Sequence, residues 1–464
     1  MSERYDAIVI GTGQAGPSLA VRLAQSGRRT AVIERKRFGG TCVNNGCIPT
    51  KTLIASARAA HVARTGAQWG VIVPSGVAVD MRAVKARKDA VVRESNEGVV
   101  KWLKSTANLT VIEAHARFEG PHSVRAGGAL LEAPQIFVNV GGRAAVPPVT
   151  GIAGVPHLDN VSMMDVDFVP RHLVVIGGSY VGLEFAQMYR RFGSDVTVVE
   201  MGSHLIGRED DEVSDAIREI LESEGITVRL DAKCVAVRRD GDGIVVGVDC
   251  AREPREVRGT HLLLATGRRP NTDDLGCERA GIALDPRGYI VVDDALRTSV
   301  EGVFALGDVN GRGAFTHTSY NDYEIVAANV LDGDSRRVTE RIPVYALFVD
   351  PPLARVGMSE REARASGRSL LAATMPMRRV GRARERGETA GFMKVLVDAG
   401  TERIVGAALL GIEADEVIHS IVDVMYADAP YTVLRRAMHI HPTVAELVPT
   451  LLSKLKPLEP GPAT

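Results

Sequence analysis

Cysteine is scarce in this chain: five residues among 464. That is too few for a disulfide framework, and in a reducing cytosol a persistent disulfide is usually transient and catalytic. Charge of one sign is also missing. Lys and Arg number 56 and Asp and Glu 57, a net charge of −1. Bulk electrostatics therefore argue against a nucleic-acid partner or an anionic membrane surface. No apolar run reaches the ~18 residues that a membrane span requires. The opening MSERYDAIVIGTG has no charged-then-apolar leader. These absences point to a cytoplasmic protein with no membrane and no nucleic-acid partner.

What is present is an ordinary globular composition, 45% hydrophobic and 24% charged, spread over a length that exceeds one core and suggests about three domains. Two of the cysteines stand five positions apart in GGTCVNNGCIPTK, residues 39–51: Cys42 and Cys47. A structural disulfide, half of a metal site and a redox-active pair are the competing readings. Cys-x4-Cys is within zinc-ligand spacing. However, no second cysteine pair follows and no nearby histidine stands at ligand spacing, so no metal site is expected. Cys234, Cys250 and Cys277 are scattered and read as packing.

YDAIVIGTGQAGPSLAVRLAQSGRRTAVIER supplies an apolar strand, then Gly11-x-Gly13-x-x-Gly16, a helical segment, and the strand TAVIE ending in Glu34. This is the dinucleotide fingerprint in the context it needs. The glycines let the backbone approach a pyrophosphate, the helix N-terminus attracts it, and the acid accepts from a ribose hydroxyl. HLVVIGGSYVGLEFAQMYRRFGSDVTVVE repeats the pattern with Gly177, Gly182 and Glu200. Gly11 to Glu34 and Gly177 to Glu200 span the same 23 positions. Ser179 stands where the middle glycine usually sits. Glu200 favours a free 2′-hydroxyl over a 2′-phosphate, hence NADH over NADPH, a preference that Arg208 could soften. FVNVGGRAAVPPVTG (137–151), LLLATGRRPNT (262–272, with Gly267) and VFALGDV (303–309) each read as a buried strand running into a glycine turn. Two nucleotide sites imply electron transfer between two nucleotides.

With these motifs in place, the chain resembles the FAD-dependent pyridine nucleotide–disulfide oxidoreductases, the family of dihydrolipoyl dehydrogenase, glutathione reductase and mercuric reductase. GGTCVNNGCIPTK resembles the family's redox-active signature, GVFALGDV its second FAD motif, and HIHPTVAELV (439–448) its C-terminal acid–base motif. The resemblance implies an α/β fold: two Rossmann-like dinucleotide-binding domains and a C-terminal α+β dimerisation domain. It implies an FAD domain from 1–150 and 272–340, an NAD(P) domain from 151–271, and a dimerisation domain from 341–464.

The same resemblance implies roles. Cys47 is the thiolate beside the flavin and Cys42 the exposed, attacking thiol. His441, oriented by Glu446, is the acid–base that reaches the other subunit's cysteines in a homodimer, with His439 given a minor part. Lys51 and Glu184 pair near the hydride-accepting nitrogen. Tyr180 covers the flavin and swings away when NAD(P)H enters. Asp308 holds the ribityl chain, and Gly40, Thr41, Ala116 and Thr316 complete the FAD contacts. If Cys42 and Cys47 are to bond, an undistorted helix would hold them roughly 8–9 Å apart, beyond the about 7 Å a disulfide allows. Val43-Asn44-Asn45-Gly46 is therefore expected to be irregular. Asn45 departs from the usual valine.

The electron acceptor is left open between a disulfide, a metal ion and a quinone. GGSYVGLEFAQMYRRFGS and FTHTSYNDYEIV resemble mercuric-reductase-like flavoproteins and the reactive-chlorine-response copper reductases. No N-terminal metal-carrying domain and no C-terminal cysteine pair are seen, so efficient mercury reduction is not expected. Dihydrolipoyl dehydrogenase is the alternative, and a poorly turning-over FAD/NAD redox sensor a second. Glutathione and trypanothione reductases are set aside because they carry arginines, not an acid, for the NADP phosphate. RRVGRARERG (378–387) reads as a solvated hairpin face.

Overall fold

The computed structural model describes residues 2–74, 76–249 and 255–458, so Cys250 lies outside the described residues. The first apolar run folds as the strand Ala7–Ile10, buried at every position. It is the middle of a five-stranded parallel sheet in the order 303–305, 135–138, 7–10, 30–34, 109–113. Unbroken apolar runs, rather than alternation, suit a parallel sheet covered on both faces. Helix α1 (Ala15–Gln25) leaves the glycine turn. Beyond Glu34 come α2 (Gly40–Asn45), α3 (Cys47–Thr65) and α4 (Met81–Ser105). Asp80 caps α4 by accepting from the amides of Arg82 and Ala83 at 3.0 and 3.1 Å.

The second glycine unit builds a four-stranded parallel sheet in the order 227–229, 195–199, 172–176, 261–264. Helix α5 (Tyr180–Phe192) follows its glycine turn. Two short antiparallel strands, Gly142–Ala144 and Arg268–Pro270, carry the chain out to this sheet and back. Strand Val303–Ala305 then completes the first sheet, and α6 (Thr316–Leu331) packs beside α1. The C-terminal region forms a six-stranded antiparallel sheet in the order 344–347, 353–357, 404–410, 392–398, 370–376, 456–457.

The segment from Arg378 to Arg386 is not a hairpin. It is a turn of 3-10 helix, Met377–Arg379, followed by α7 (Gly381–Glu385). Val380 and Ala383, three apart, are fully buried, and helical spacing puts them on one face. Arg378, Arg379, Arg384 and Arg386 remain exposed, while Arg382 is half-buried.

One core cluster decides where α3, which begins at Cys47, sits. Leu53 and Ala57 of α3 pack with Leu183, Phe185 and Tyr189 of α5 and with Leu347 and Leu410 of the antiparallel sheet. Each buried leucine or phenylalanine among them contributes about 1.5–3 kcal/mol. An ionic knot runs along the same seam. Asp350 pairs with Arg58 of α3 at 2.6 Å and with Arg191 of α5. Arg191 also pairs with Glu224 at 2.6 Å. Helix α3 is thus pinned between the second nucleotide unit and the C-terminal sheet. Among the described residues no helix is long and apolar enough to cross a membrane.

Candidate active site

The two glycine turns are built alike. Gly11 adopts φ +97°, and a Cβ there would stand 2.3 Å from the Asn139 carbonyl oxygen. Gly177 adopts φ +112°, and its Cβ would stand 2.4 Å from the Ala265 carbonyl oxygen. Gly16 and Gly182 seat the following helices on the turns, where a Cβ would meet the Gly11 and Gly177 carbonyls at 2.2 and 2.0 Å. Only glycine meets these demands. At Gly13 a Cβ would come within 2.9 Å of Asn139 Oδ1. In the second turn the crowded middle position is Gly178, 2.6 Å from Leu205, and not Ser179, whose backbone is extended at the head of α5.

The equal spacing of the acids becomes equal geometry. Glu34 accepts from the Thr12 amide at 3.0 Å, the Thr12 hydroxyl at 2.6 Å and the Lys36 amide at 2.9 Å. Glu200 accepts from the Gly178 amide at 2.7 Å and the Gly202 amide at 2.8 Å. In each unit the acid ties the residue after the first glycine to the residue two beyond itself.

Both turns open into one cleft of ≈ 2530 Å³. A drug-sized pocket is about 300–1,000 Å³, so this cleft has room for two dinucleotides. Glu34, Gly40, Thr41 and Ala116 lie on its wall on the side of the first turn. Ser179, Tyr180, Glu200 and Gly267 lie on the side of the second. Between them stand Cys42, Cys47, Lys51, Glu184, Asp308 and Thr316. Burial pushes the Asp308 carboxyl up from its ordinary value, opposed by Arg268, 3.4 Å away.

Cys42 ends the first turn of α2 and Cys47 opens α3. The expected irregularity is confined to Gly46, at φ −129° and ψ −117°, while Val43, Asn44 and Asn45 stay helical. Gly46 is what lets the two helices meet: a Cβ there would be 2.8 Å from the Thr41 carbonyl oxygen and 3.2 Å from Cys42 Cα. Asn44 secures α2 by donating to the Phe38 and Gly40 carbonyls at 2.7 and 2.8 Å.

The two cysteines carry free thiols and both are half-buried. A hydrogen bond from Cys42, a second from Thr316 Oγ1 at 2.9 Å and the nearby Lys51 cation lower the Cys47 thiol to about 6. The same coupling, with burial, pushes Cys42 up. The two shifts run in opposite directions, favouring the charge on Cys47 over Cys42.

Lys51, one helical turn beyond Cys47, donates to both carboxylate oxygens of Glu184 at 2.9 and 2.8 Å. Glu184 also accepts from the Phe348 amide at 3.1 Å, and the Lys51 ammonium lies 4.5 Å from the Phe348 ring centroid. Tyr180 packs edge-on against Phe315 and Tyr345, with ring centroids 5.9 and 5.7 Å away.

His441 and Glu446 form a dyad, Nδ1 to Oε2 at 2.8 Å. It stands apart from the cysteines. His441 is not on the wall of the cleft, and its side chain is 80% exposed. His439 instead bonds the Ala445 carbonyl at 2.8 Å.

Several site residues escaped the sequence reading. Asn139 accepts from the Gly16 amide at 3.1 Å and donates to the Leu306 carbonyl at 2.9 Å, joining three segments of the first unit. Asp322, almost fully buried, accepts from the Gly307 amide at 2.8 Å and pairs with Arg341. Cys234, read as packing, is half-buried on the cleft wall, whereas Cys277 is buried. Asn139 lies inside the quoted FVNVGG run and was within reach; Asp322 is an ordinary helical acid with no motif around it.

Comparison with known proteins agrees with this geometry. Residues 5–322 match the family described as pyridine nucleotide-disulphide oxidoreductase, and residues 344–452 match its dimerisation domain. The chain belongs to this family. It is 37% identical over 461 residues to the Escherichia coli protein described as "Probable pyridine nucleotide-disulfide oxidoreductase RclA", covering 98% of this chain and 100% of that one. It is 34% identical to a mercuric reductase of Streptomyces lividans, covering 95% and 94%. The solved structure of the HOCl-induced flavoprotein disulfide reductase RclA from Escherichia coli superposes with a TM-score of 0.89 at 36% identity, covering 97% of this chain and 100% of that one. The protein is an FAD-dependent, NAD(P)H-using disulfide oxidoreductase with two nucleotide-binding domains and a dimerisation domain.

Proposed function

We propose that this chain works as a cytoplasmic homodimer that moves two electrons from NADH to the Cys42–Cys47 pair and on to an external acceptor, Cu(II) foremost. The observation that carries the reading is the Cys47 thiol held at about 6 between Cys42, Thr316 and Lys51, on the wall shared by both nucleotide turns. The FAD domain is 1–150 with 272–340, the NAD(P) domain 151–271 and the dimerisation domain 341–464. The paired strands Gly142–Ala144 and Arg268–Pro270 support that division.

The residues present fit both nucleotides, since each glycine cradle excludes a Cβ and each acid is already oriented by main-chain amides. Gly11, Gly13, Glu34, Gly40, Thr41, Ala116, Asp308 and Thr316 would hold FAD; Gly177, Ser179, Tyr180, Glu200 and Gly267 would hold NADH. FAD, when bound, supplies the two-electron carrier between nicotinamide and cysteines. Lys51, fixed by Glu184, places a cation on the wall next to Cys47. Glu200 selects the 2′-hydroxyl.

The chemistry of the pair balances simply. When Cys42 and Cys47 give two electrons to an acceptor, an S–S bond forms and the Cys42 proton leaves. Two Cu(II) ions become two Cu(I), or one external disulfide becomes one thiol, which takes that proton, and one thiolate. His441 of the partner subunit takes the Cys42 proton on Nε2, because Glu446 occupies Nδ1. The exposure of His441, with Met438 at 98% and Ile440 at 80%, supports its burial against a second copy. A second solved structure of the Escherichia coli relative, described as its Cu(II) complex and superposing with a TM-score of 0.89 at 36% identity, supports the metal-ion acceptor. Lipoamide is the second reading, favoured by the intact His441–Glu446 dyad.

The test is anaerobic NADH oxidation with lipoamide, glutathione disulfide, Cu(II) and Hg(II). Fast turnover with Cu(II), lost in Cys42→Ser, is expected. Turnover with lipoamide alone would make the chain a dihydrolipoyl dehydrogenase, and uniformly slow turnover would make it a sensor.

A further inference from the structure

The basic segment around α7 had no assigned role, and one of its arginines reaches the acid–base loop. Arg382 donates to the main-chain carbonyl oxygen of Pro442 through Nη2 at 2.6 Å and Nε at 3.2 Å. Pro442 is the residue directly after His441. The third guanidinium nitrogen, Nη1, is held by Glu385 at 3.1 Å, one turn away on the same helix. The fork is therefore braced at both ends.

Within its own chain the loop has little else to hold it. Met438 and Ile440 are exposed, and so is His441 itself. Val444 is its buried anchor. Its remaining side-chain polar contacts are internal: His441 Nδ1 with Glu446 Oε2 at 2.8 Å, Thr443 Oγ1 to the Ile440 carbonyl at 2.7 Å, the Glu446 amide to Thr443 Oγ1 at 3.2 Å, and His439 to the Ala445 carbonyl. Among the described residues, Arg382 provides the polar contact that comes from outside the loop. A cationic donor on a carbonyl is stronger and more directional than a neutral one, and a two-pronged guanidinium fixes orientation as well as distance.

Helix α7 is itself fixed to the frame. Val380 and Ala383 are fully buried, and Glu388, just past its end, accepts from Arg58 of α3 at 2.7 Å. Helix α3 begins at Cys47. A rigid helix thus presents Arg382 to the carbonyl that follows His441.

We infer that Arg382 is a positioning residue for His441, setting the backbone from which the imidazole reaches Cys42 of the partner subunit. The inference rests on the acid–base role proposed above for His441. Arg382 touches no reacting atom. Its effect is on orientation, and misplacement of a catalytic group by about an ångström is costly.

The experiment uses the FAD-loaded dimer and needs no identified acceptor. The NADH-reduced protein is treated anaerobically with iodoacetamide from pH 6 to 10, and alkylation of Cys42 is followed by peptide mapping. Arg382→Met is expected to slow Cys42 alkylation near neutral pH by about tenfold and to move its pH profile upward. Arg382→Lys, which keeps one cationic donor, should fall between. Flavin reduction by NADH should be unchanged in both. In a His441→Ala background, Arg382→Met should add nothing, because the two act as one unit. Equal slowing in that background would overturn the inference, as would alkylation at the parent rate in Arg382→Met alone. If His441→Ala itself leaves Cys42 alkylation unchanged, the acid–base reading falls and this inference with it. Should Arg382→Met not fold, Arg382→Lys in both backgrounds carries the same comparison.

Discussion

Lys51 and Glu184 are 133 positions apart in sequence, yet the ammonium of one donates to both carboxylate oxygens of the other, at 2.9 and 2.8 Å. They lie on α3 and α5, which pack directly together in a shared core. Their pairing makes the two nucleotide units a single electrostatic object at the cysteines. Lys51→Met leaves the buried Glu184 with the Phe348 amide as its hydrogen-bond donor. Stability should fall by about 1–3 kcal/mol, read by thermal melting, and anaerobic stopped-flow should show slower flavin reduction by NADH. Unchanged kinetics would refute a role for the pair near the flavin.

The Cys47 thiol, lowered to about 6, sets a pH dependence. In the reduced protein, Cys47 alkylation should rise with an apparent pKa near 6 and plateau by neutral pH. Thr316→Val, which removes the hydroxyl 2.9 Å away, should move that midpoint upward. A midpoint at the ordinary thiol value of 9.0 would show that Cys47 is not held as thiolate. Stability carries a definite sign. The Cys47 contribution is complete above the unfolded value and is lost as pH falls through about 6. Cys42, shifted the other way, contributes below its ordinary value and loses that as pH rises. The two oppose each other, so alkylation is the cleaner readout.

Glu200 is gripped by the Gly178 and Gly202 amides with its carboxylate on the cleft wall. Glu200→Ala should raise KM for NADH by about 10- to 100-fold, the worth of roughly 1.5–3 kcal/mol for a hydrogen bond to a charged group. KM for NADPH should change far less, so the NADH preference should shrink. Arg208, on the same wall, should matter only to NADPH. Steady-state kinetics with both nucleotides decides; an unchanged ratio would remove Glu200 as the selector.

Gly46→Ala puts a Cβ 2.8 Å from the Thr41 carbonyl oxygen. The helices α2 and α3 must separate, at a cost of about 1–3 kcal/mol, and the cysteines with them. Oxidised protein should then retain two titratable thiols that the parent lacks. Complete closure of the disulfide in Gly46→Ala would mean the contact is relieved elsewhere.

Much of this molecule was legible because its signals are local. The Gly11–Glu34 and Gly177–Glu200 units each close on themselves: turn, helix, strand and acid are neighbours in sequence and in space. Their common 23-position spacing reappears as one hydrogen-bond pattern, Glu34 to Thr12 and Lys36, Glu200 to Gly178 and Gly202. The His441–Glu446 dyad was readable for the same reason, as five residues separate its members. The basic run 378–387 reads as a hairpin in sequence because five arginines obscure Val380 and Ala383, the two buried positions of what is a helical segment.

Sequence alone thus determined the two glycine turns and their acids, since glycines that must accept positive φ and acids at strand ends are imposed by short-range geometry. Tertiary structure alone decided what surrounds them. Thr316 reaches Cys47 across 269 positions, Phe348 offers its amide to Glu184, and Arg382 reaches the carbonyl after His441. Each is a commonplace residue whose donor becomes specific only when the packed cores bring distant backbones within hydrogen-bond reach. Folding also set His441 outward, away from its own cysteines, because its loop packs on the antiparallel sheet while α2 and α3 face the nucleotide units.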